Sequence, residues 1–282
     1  MQLIFNLKLN CILMTKIFDY ICTLSDLKIL CFFITFIPFF AYLLYGSLKK
    51  LFWNKEILVD KDLGRSLLSS SFAITTFLLT FTLIQTLSTY QKINSSVYDE
   101  ISIMEQIDIT LVGYDTKKTD AFRTQLEKYI QSIINQEWGG MSDDSEQIKP
   151  SKEFHDLYNM ISKASNSTDD QLKDLSQKCF PLILDLSKVR YLRQQFAGMS
   201  LPKIFWIGIF FLILTSVTLF FLLDKKNPYY SLILLFPMIS IGVLMALVVI
   251  FDKPFSGEKS VTAKAFQLFI DRMHERSYLN NK

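Results

Sequence analysis

The chain has 282 residues, half of them hydrophobic and a fifth charged, with a formal net charge of +3. That balance is too weak to point to nucleic acid, and no nucleic-acid partner is expected. Four cysteines without a Cys-x-x-Cys pair (Cys11, Cys22, Cys31, Cys179) and two histidines (His155, His274) exclude a disulfide framework or a zinc site and leave no metal or triad cluster, so no cofactor and no enzymatic activity are expected.

Residues 1–28 hold Lys8 and a short apolar patch at Cys11–Met14 with no small-residue cleavage site behind it. This reads as an N-terminal extension rather than a signal peptide, with Met14 as a second candidate start. Four windows then contain no charge. Between Lys28 and Lys49 lie 20 such residues, between Arg65 and Lys92 26, between Lys203 and Asp224 20, and between Lys226 and Asp252 25. A helix rises about 1.5 Å per residue, so about 20 residues cross a hydrocarbon core of about 30 Å, and every window suffices. Aromatic residues at the ends fit a membrane interface: Tyr42 and Tyr45, Tyr90, Trp206, and Tyr229 with Tyr230. The expected fold is all-α, with four transmembrane helices and a helical bundle insert between the second and third.

Residues 29–91 carry the first two spans. Pro38 lies inside the first and is tolerable where neighbours satisfy the freed carbonyl. The second, Ser66 to about Ser88, meets no Gly or Pro before the polar stretch from Gln91, which predicts one long helix leaving the bilayer. At 100° per residue its hydroxyls form two faces: Ser66, Ser69, Thr76 and Thr80 on one, and Ser71, Thr75, Thr82, Thr86 and Thr89 nearly opposite. Ala73, Phe77, Phe81 and Ile84 lie beside the first face. Two roles fit these hydroxyls, lining of an aqueous path at Ser69, Thr76 and Thr80 or close packing between helices. No span contains a charge, which argues against proton relays and ion-coupled transport.

The insert, residues 92–202, carries apolar stripes at helical spacing: Ile93, Val97, Ile101, Met104, Leu111; Phe122, Leu126, Tyr129, Ile130, Ile133; and Phe154, Leu157, Tyr158, Ile161. Gly139, Gly140 and the run to Pro150 read as a loop, and Ser167–Asp170 as a helix start. From Leu172 the series Leu175, Cys179, Leu182, Leu186, Val189, Phe196 keeps a three-four spacing, a bundle or coiled-coil seam interrupted by Arg193 and kinked at Pro181. Glu100, Glu105 and Glu137 are the carboxylates worth weighing for chemistry, and on a solvated helix face such groups are ordinarily just charge. Residues 203–251 form the third and fourth spans, joined by a tight hairpin at 224–228. In residues 252–282 the run Asp252-Lys253-Pro254-Phe255-Ser256-Gly257 precedes an amphipathic helix with Phe266, Phe269, Ile270 and Met273 on one face, able to lie on the membrane or on the insert.

Two motifs carry a family resemblance. Tyr129-Ile130 leads through to Glu137-Trp138, and the last span ends in Asp-x-Pro-Phe-x-Gly at Asp252, Pro254, Phe255 and Gly257. In order and spacing the layout resembles the bacterial bestrophin-like domain proteins, themselves remotely similar to bestrophin anion channels. The resemblance implies a homo-oligomer in the bilayer, such as a pentamer, with the second helix lining a pore for small anions such as chloride. Placing the family's Leu-x-Phe pattern on Leu79-Thr80-Phe81 puts Ala73, Phe77 and Phe81 at the spacing of its hydrophobic neck. Ala73 departs from the bulky residue expected, so one ring would be wide or absent. The acidic calcium clasp of animal bestrophins has no counterpart here. The motif residues Glu137, Trp138, Asp252, Pro254, Phe255 and Gly257 are expected to be structural, with Pro254 ending the helix and Asp252 held by a Lys or Arg of the insert.

Orientation draws on two opposed signals. The short connections 49–65 and 224–228 hold seven Lys or Arg, which places them inside. Lys92, Lys188, Arg190, Arg193, Lys203, Lys253, Lys259 and Lys264 crowd the other side. The resemblance places the insert in the cytoplasm of a cell whose inner membrane holds the spans.

Overall fold

A computed structural model of the chain describes residues 25–52, 61–114, 116–138, 152–197, 199–223, 230–255 and 261–280. The predicted loop at 139–150, the hairpin at 224–228, Gly257 and the N-terminal extension up to residue 24 lie outside the described residues. Among the described residues every regular element is helical: α1 (Asp26–Leu51), α2 (Lys61–Val112), α3 (Thr116–Ser132), a π-helical turn (Ile133–Glu137), α4 (Lys152–Ala164), α5 (Asp170–Ala197), α6 (Lys203–Leu223), α7 (Tyr230–Asp252) and α8 (Lys264–Asn280). α1, α2, α6 and α7 are long and apolar enough to cross a membrane. The chain divides into two compact units, residues 1–88 with 200–259 and residues 89–199 with 260–282.

In the first unit α1 packs against both α7 and α6. Its buried side, Ile29, Phe33, Ile37, Ala41 and Tyr45, recurs every four residues and meets Ile209, Ile213 and Val217 of α6 and Leu234, Met238, Ile241 and Ala246 of α7. Without a hydrophobic drive between helices in lipid, such contacts rest on shape, and small residues set the distance. Gly242 is that residue: a Cβ added there would lie 2.6 Å from the Phe33 carbonyl oxygen. Asp26 in the first turn of α1 and Lys49 and Lys50 in its last complement the helix dipole. At the far end of α7 the carboxylate of Asp252 accepts a hydrogen bond from the Leu201 backbone N–H at 2.9 Å, two residues before α6 begins. A backbone amide at a helix entrance is thus one partner of this carboxylate. Pro254 and Phe255 follow, both buried.

The second unit is a helical bundle built on the last part of α2, whose Ile93, Val97, Ile101, Met104, Ile107 and Leu111 are buried. The seam of α5 turns inward with Leu175, Cys179 and Leu186 buried, while Ile183 takes the inward place expected of the half-buried Leu182, and Ser176 donates to the Ile161 carbonyl of α4 at 2.7 Å. Asp169 caps α5 by accepting the Gln171 N–H at 3.0 Å, and a hydrogen bond from Lys118 holds its carboxyl below the usual range. The amphipathic face of α8, Phe266, Phe269, Ile270 and Met273, is buried inside this unit, which settles the choice left open for it. Arg123 secures it by donating to the Met273 carbonyl at 3.0 Å, while its Nε donates to Asp108 at 2.8 Å. Arg276 Nε approaches the other Asp108 oxygen at 3.1 Å, but off the hydrogen-bond direction, so that contact is ionic only.

Candidate functional site: the open face of α2 and a buried ionic cluster

The two hydroxyl faces of α2 in the first unit have different fates. Ser71, Thr75, Thr82 and Thr86 are buried. Ser71 shares a hydrogen bond with Ser216 of α6 at 2.8 Å, and Thr75, Thr82 and Thr86 donate to carbonyls of their own helix three or four residues back. These are packing hydroxyls of the kind that line membrane-helix interfaces. The other face is open. Ser69, Ala73, Thr76 and Thr80 are exposed, as are Phe77 at 75% and Phe81 at 61%. Among the described residues, Ser69, Thr76 and Thr80 make no hydrogen bond within the chain. All six residues assigned to the neck and to the hydroxyl lining therefore share one exposed helix face, flanked by exposed Ile74 and Ile84.

The Glu-Trp motif sits in a different setting. The π-helical turn at Ile133–Glu137 inserts an extra residue per turn, and a shift of one residue rotates the following side chain by about 100°. Glu137 is buried there. Its Oε2 takes the Arg193 Nη2 donor at 2.8 Å and its Oε1 takes Arg190 Nη2 at 2.6 Å. Arg193 also donates through Nε to Glu100 Oε2 at 2.6 Å, and the Tyr129 hydroxyl donates to Glu100 Oε1 at 2.8 Å. Arg193 and Glu100 are both 0% exposed. Two arginines face two glutamates, so the charges balance. Trp138 and Phe266 flank the Arg193 guanidinium at 5.7 and 6.0 Å, and Phe154 lies 5.2 Å from that of Arg190. The Trp138 indole N–H donates to the Val261 carbonyl at 3.2 Å.

Burial alone would lower the pKa of Arg193, but Glu100 and Glu137 outweigh it and hold the guanidinium above its ordinary value. Burial, then Glu100, pushes the Tyr129 phenol well above its usual range. The cluster is thus a charged core in which each carboxylate meets an arginine, while Arg190 Nε is left without a hydrogen-bond partner. Two expectations change here. Glu100 and Glu137 are not solvated charges, and Arg193 is a member of the α5 seam rather than a break in it. The signal was present in the sequence, since a lone Arg at a seam position and a Glu within the Val97–Ile101 stripe each imply a buried partner. Glu105 stays at the surface of its unit and pairs with Arg276 at 3.1 Å and Arg272 at 3.3 Å.

Neither the curated proteins nor the solved structures include a match to the chain. A family model described as the bestrophin-like domain matches residues 61–266. That span opens at the first residue of α2, takes in its open face, the cluster and the Asp252 ending, and closes at Phe266 beside Arg193, so this four-span helical membrane protein belongs to the bestrophin-like family.

Proposed function

We propose that the chain assembles in the inner membrane as a homo-oligomer, a pentamer, in which copies of α2 surround a path for small anions such as chloride, narrowed at Phe77 and Phe81. The observation that carries this reading is the unequal treatment of the α2 hydroxyls. Those turned toward the chain are bonded, whereas Ser69, Thr76 and Thr80 on the open face are not. A donor facing hydrocarbon with no partner is unfavourable by roughly 1–3 kcal/mol. Water along an axis, or the same helix of a neighbouring copy, removes that cost. Hydroxyl donors and the positive edges of aromatic rings then provide for an anion without a fixed charge. Ala73 leaves the third position of the neck wide, so two rings carry the constriction. The family resemblance supports placing the second unit on the cytoplasmic side.

The test is chloride flux into liposomes holding purified protein of measured oligomeric size, for the natural chain and for Phe77→Ala with Phe81→Ala. Flux should rise by about tenfold or more in the double variant, because a dewetted ring is a barrier of at least about 1.4 kcal/mol. A monomer, or an oligomer silent in both forms, would remove the pore reading and leave a membrane anchor for the helical insert.

A further inference from the structure

We propose that Lys92 is the charge that gathers anions at the mouth of this path and gives it its preference for anions over cations; the proposal rests on the pore reading above and adds a residue to it. The open face of α2 runs from Ser66 to Gln91 without a charged side chain, and Lys92 is the first cation that it meets. Eleven residues separate it from Phe81. In an unbroken helix that is a rotation of about 20° and a displacement of about 16 Å along the axis, so Lys92 follows Phe81 on nearly the same side.

Lys92 is exposed, and among the described residues it has neither an ion pair nor a hydrogen bond. The arginines of the same unit are treated differently. Arg123 is paired with Asp108, Arg190 with Glu137, Arg193 with Glu100 and Glu137, and Arg272 and Arg276 with Glu105. Lys128, Lys152, Lys163 and Lys173 of this unit are also exposed and without an ion pair among the described residues, so what distinguishes Lys92 is its place, where it puts the field of an unneutralised charge at the end of the apolar stretch of α2. In a ring of copies that field is multiplied and focused by low-dielectric walls.

Asp99 is the opposing charge to weigh. It is exposed on the same side, seven residues further on, and accepts a hydrogen bond from Ser95 at 3.4 Å. Seven residues are about 10 Å, beyond the screening length of about 8 Å at physiological salt. An ion leaving the Phe81 ring therefore meets Lys92 before Asp99. Lys92 stands too far from the neck to lower its barrier directly, and it acts by raising the local anion concentration. Such an effect must strengthen in dilute salt and fade in concentrated salt.

The experiment measures reversal potentials under a potassium chloride gradient for the natural chain, Lys92→Gln, Lys92→Glu and Asp99→Asn in vesicles. All three variants are surface changes, and oligomer size is checked for each protein. At about 0.01 M salt, where screening extends over about 30 Å, Lys92→Gln should cut the chloride-to-potassium ratio by about tenfold and Lys92→Glu should invert it. At about 1 M, where screening falls to about 3 Å, the variants should converge on the natural chain. Conducting variants with an unchanged ratio in dilute salt, or a ratio moved by Asp99→Asn alone, would overturn the assignment to Lys92 while leaving the pore standing. Absence of ion flux in both the natural chain and the Phe77→Ala, Phe81→Ala variant would overturn the pore reading and this proposal with it.

Discussion

Arg193→Ala should destabilise the second unit by about 3–5 kcal/mol, because it leaves two buried carboxylates, Glu100 and Glu137, with one arginine between them. It also empties the space between Trp138 and Phe266. Cys179 provides the readout: it is 0% exposed in α5, and burial pushes its thiol up to about 11. In a background with Cys11, Cys22 and Cys31 changed to serine, its rate of reaction with a thiol reagent at fixed pH reports opening of this unit. That rate should rise by roughly two to four orders of magnitude, since about 1.4 kcal/mol is a factor of ten. The double change Arg193→Met, Glu100→Gln should be markedly milder than Arg193→Ala, because it removes one charge of each sign and leaves the Arg190–Glu137 pair in place. If the double variant is the worse of the two, the ionic account of the cluster fails.

Tyr129 adds a pH dependence with a definite sign. Its phenol is raised in the folded state by burial first and by Glu100 next. The stability that it contributes is complete below the free phenol value of about 10 and is lost as pH rises above that value toward the folded one. Tyr129→Phe should lower stability at neutral pH by about 1–2 kcal/mol through the lost hydrogen bond to Glu100, yet flatten the alkaline loss. Unchanged steepness above pH about 10 in Tyr129→Phe would mean that another group titrates there.

Gly242→Ala should destabilise the first unit by about 1–3 kcal/mol even though alanine is the better helix former by about 1 kcal/mol. The added Cβ would meet the Phe33 carbonyl oxygen at 2.6 Å, the Phe33 carbonyl carbon at 3.1 Å and the Ile34 Cα at 3.3 Å. All three are backbone atoms of α1, so no side-chain rotation relieves the overlap and α1 must move away from α7. Gly46 and Gly208 are the controls, as nothing lies within 4 Å of a Cβ added at either. Alanine at those two positions should leave stability unchanged or raise it by up to about 1 kcal/mol. Thermal unfolding in detergent compares the three, and a Gly242→Ala protein as stable as its controls would refute the close approach of α1 and α7.

The sequence alone determined the features that are properties of single segments. Hydrocarbon thickness and the rise of a helix turn four charge-free windows into spans, and the absence of any Gly or Pro between Ser88 and Gly113 makes α2 one helix. Three-four spacing likewise marked the seam of α5, and acidic residues with Ser167 and Thr168 marked its start, where Asp169 is the cap. Tertiary structure decided everything that depends on which side a partner occupies. Helical periodicity showed two hydroxyl faces on α2, but only the Ser71–Ser216 bond, spanning 145 positions, distinguishes the packed face from the open one. The same holds for Glu100, Glu137 and Arg193. The seam position of Arg193 and the stripe position of Glu100 imply buried partners, but only pairing across 93 and 56 positions shows which residues they are. Local pattern reports the period and polarity of a helix, whereas the azimuth that it buries is set by packing and electrostatic neighbours remote in the chain, for which a single sequence holds no local signal.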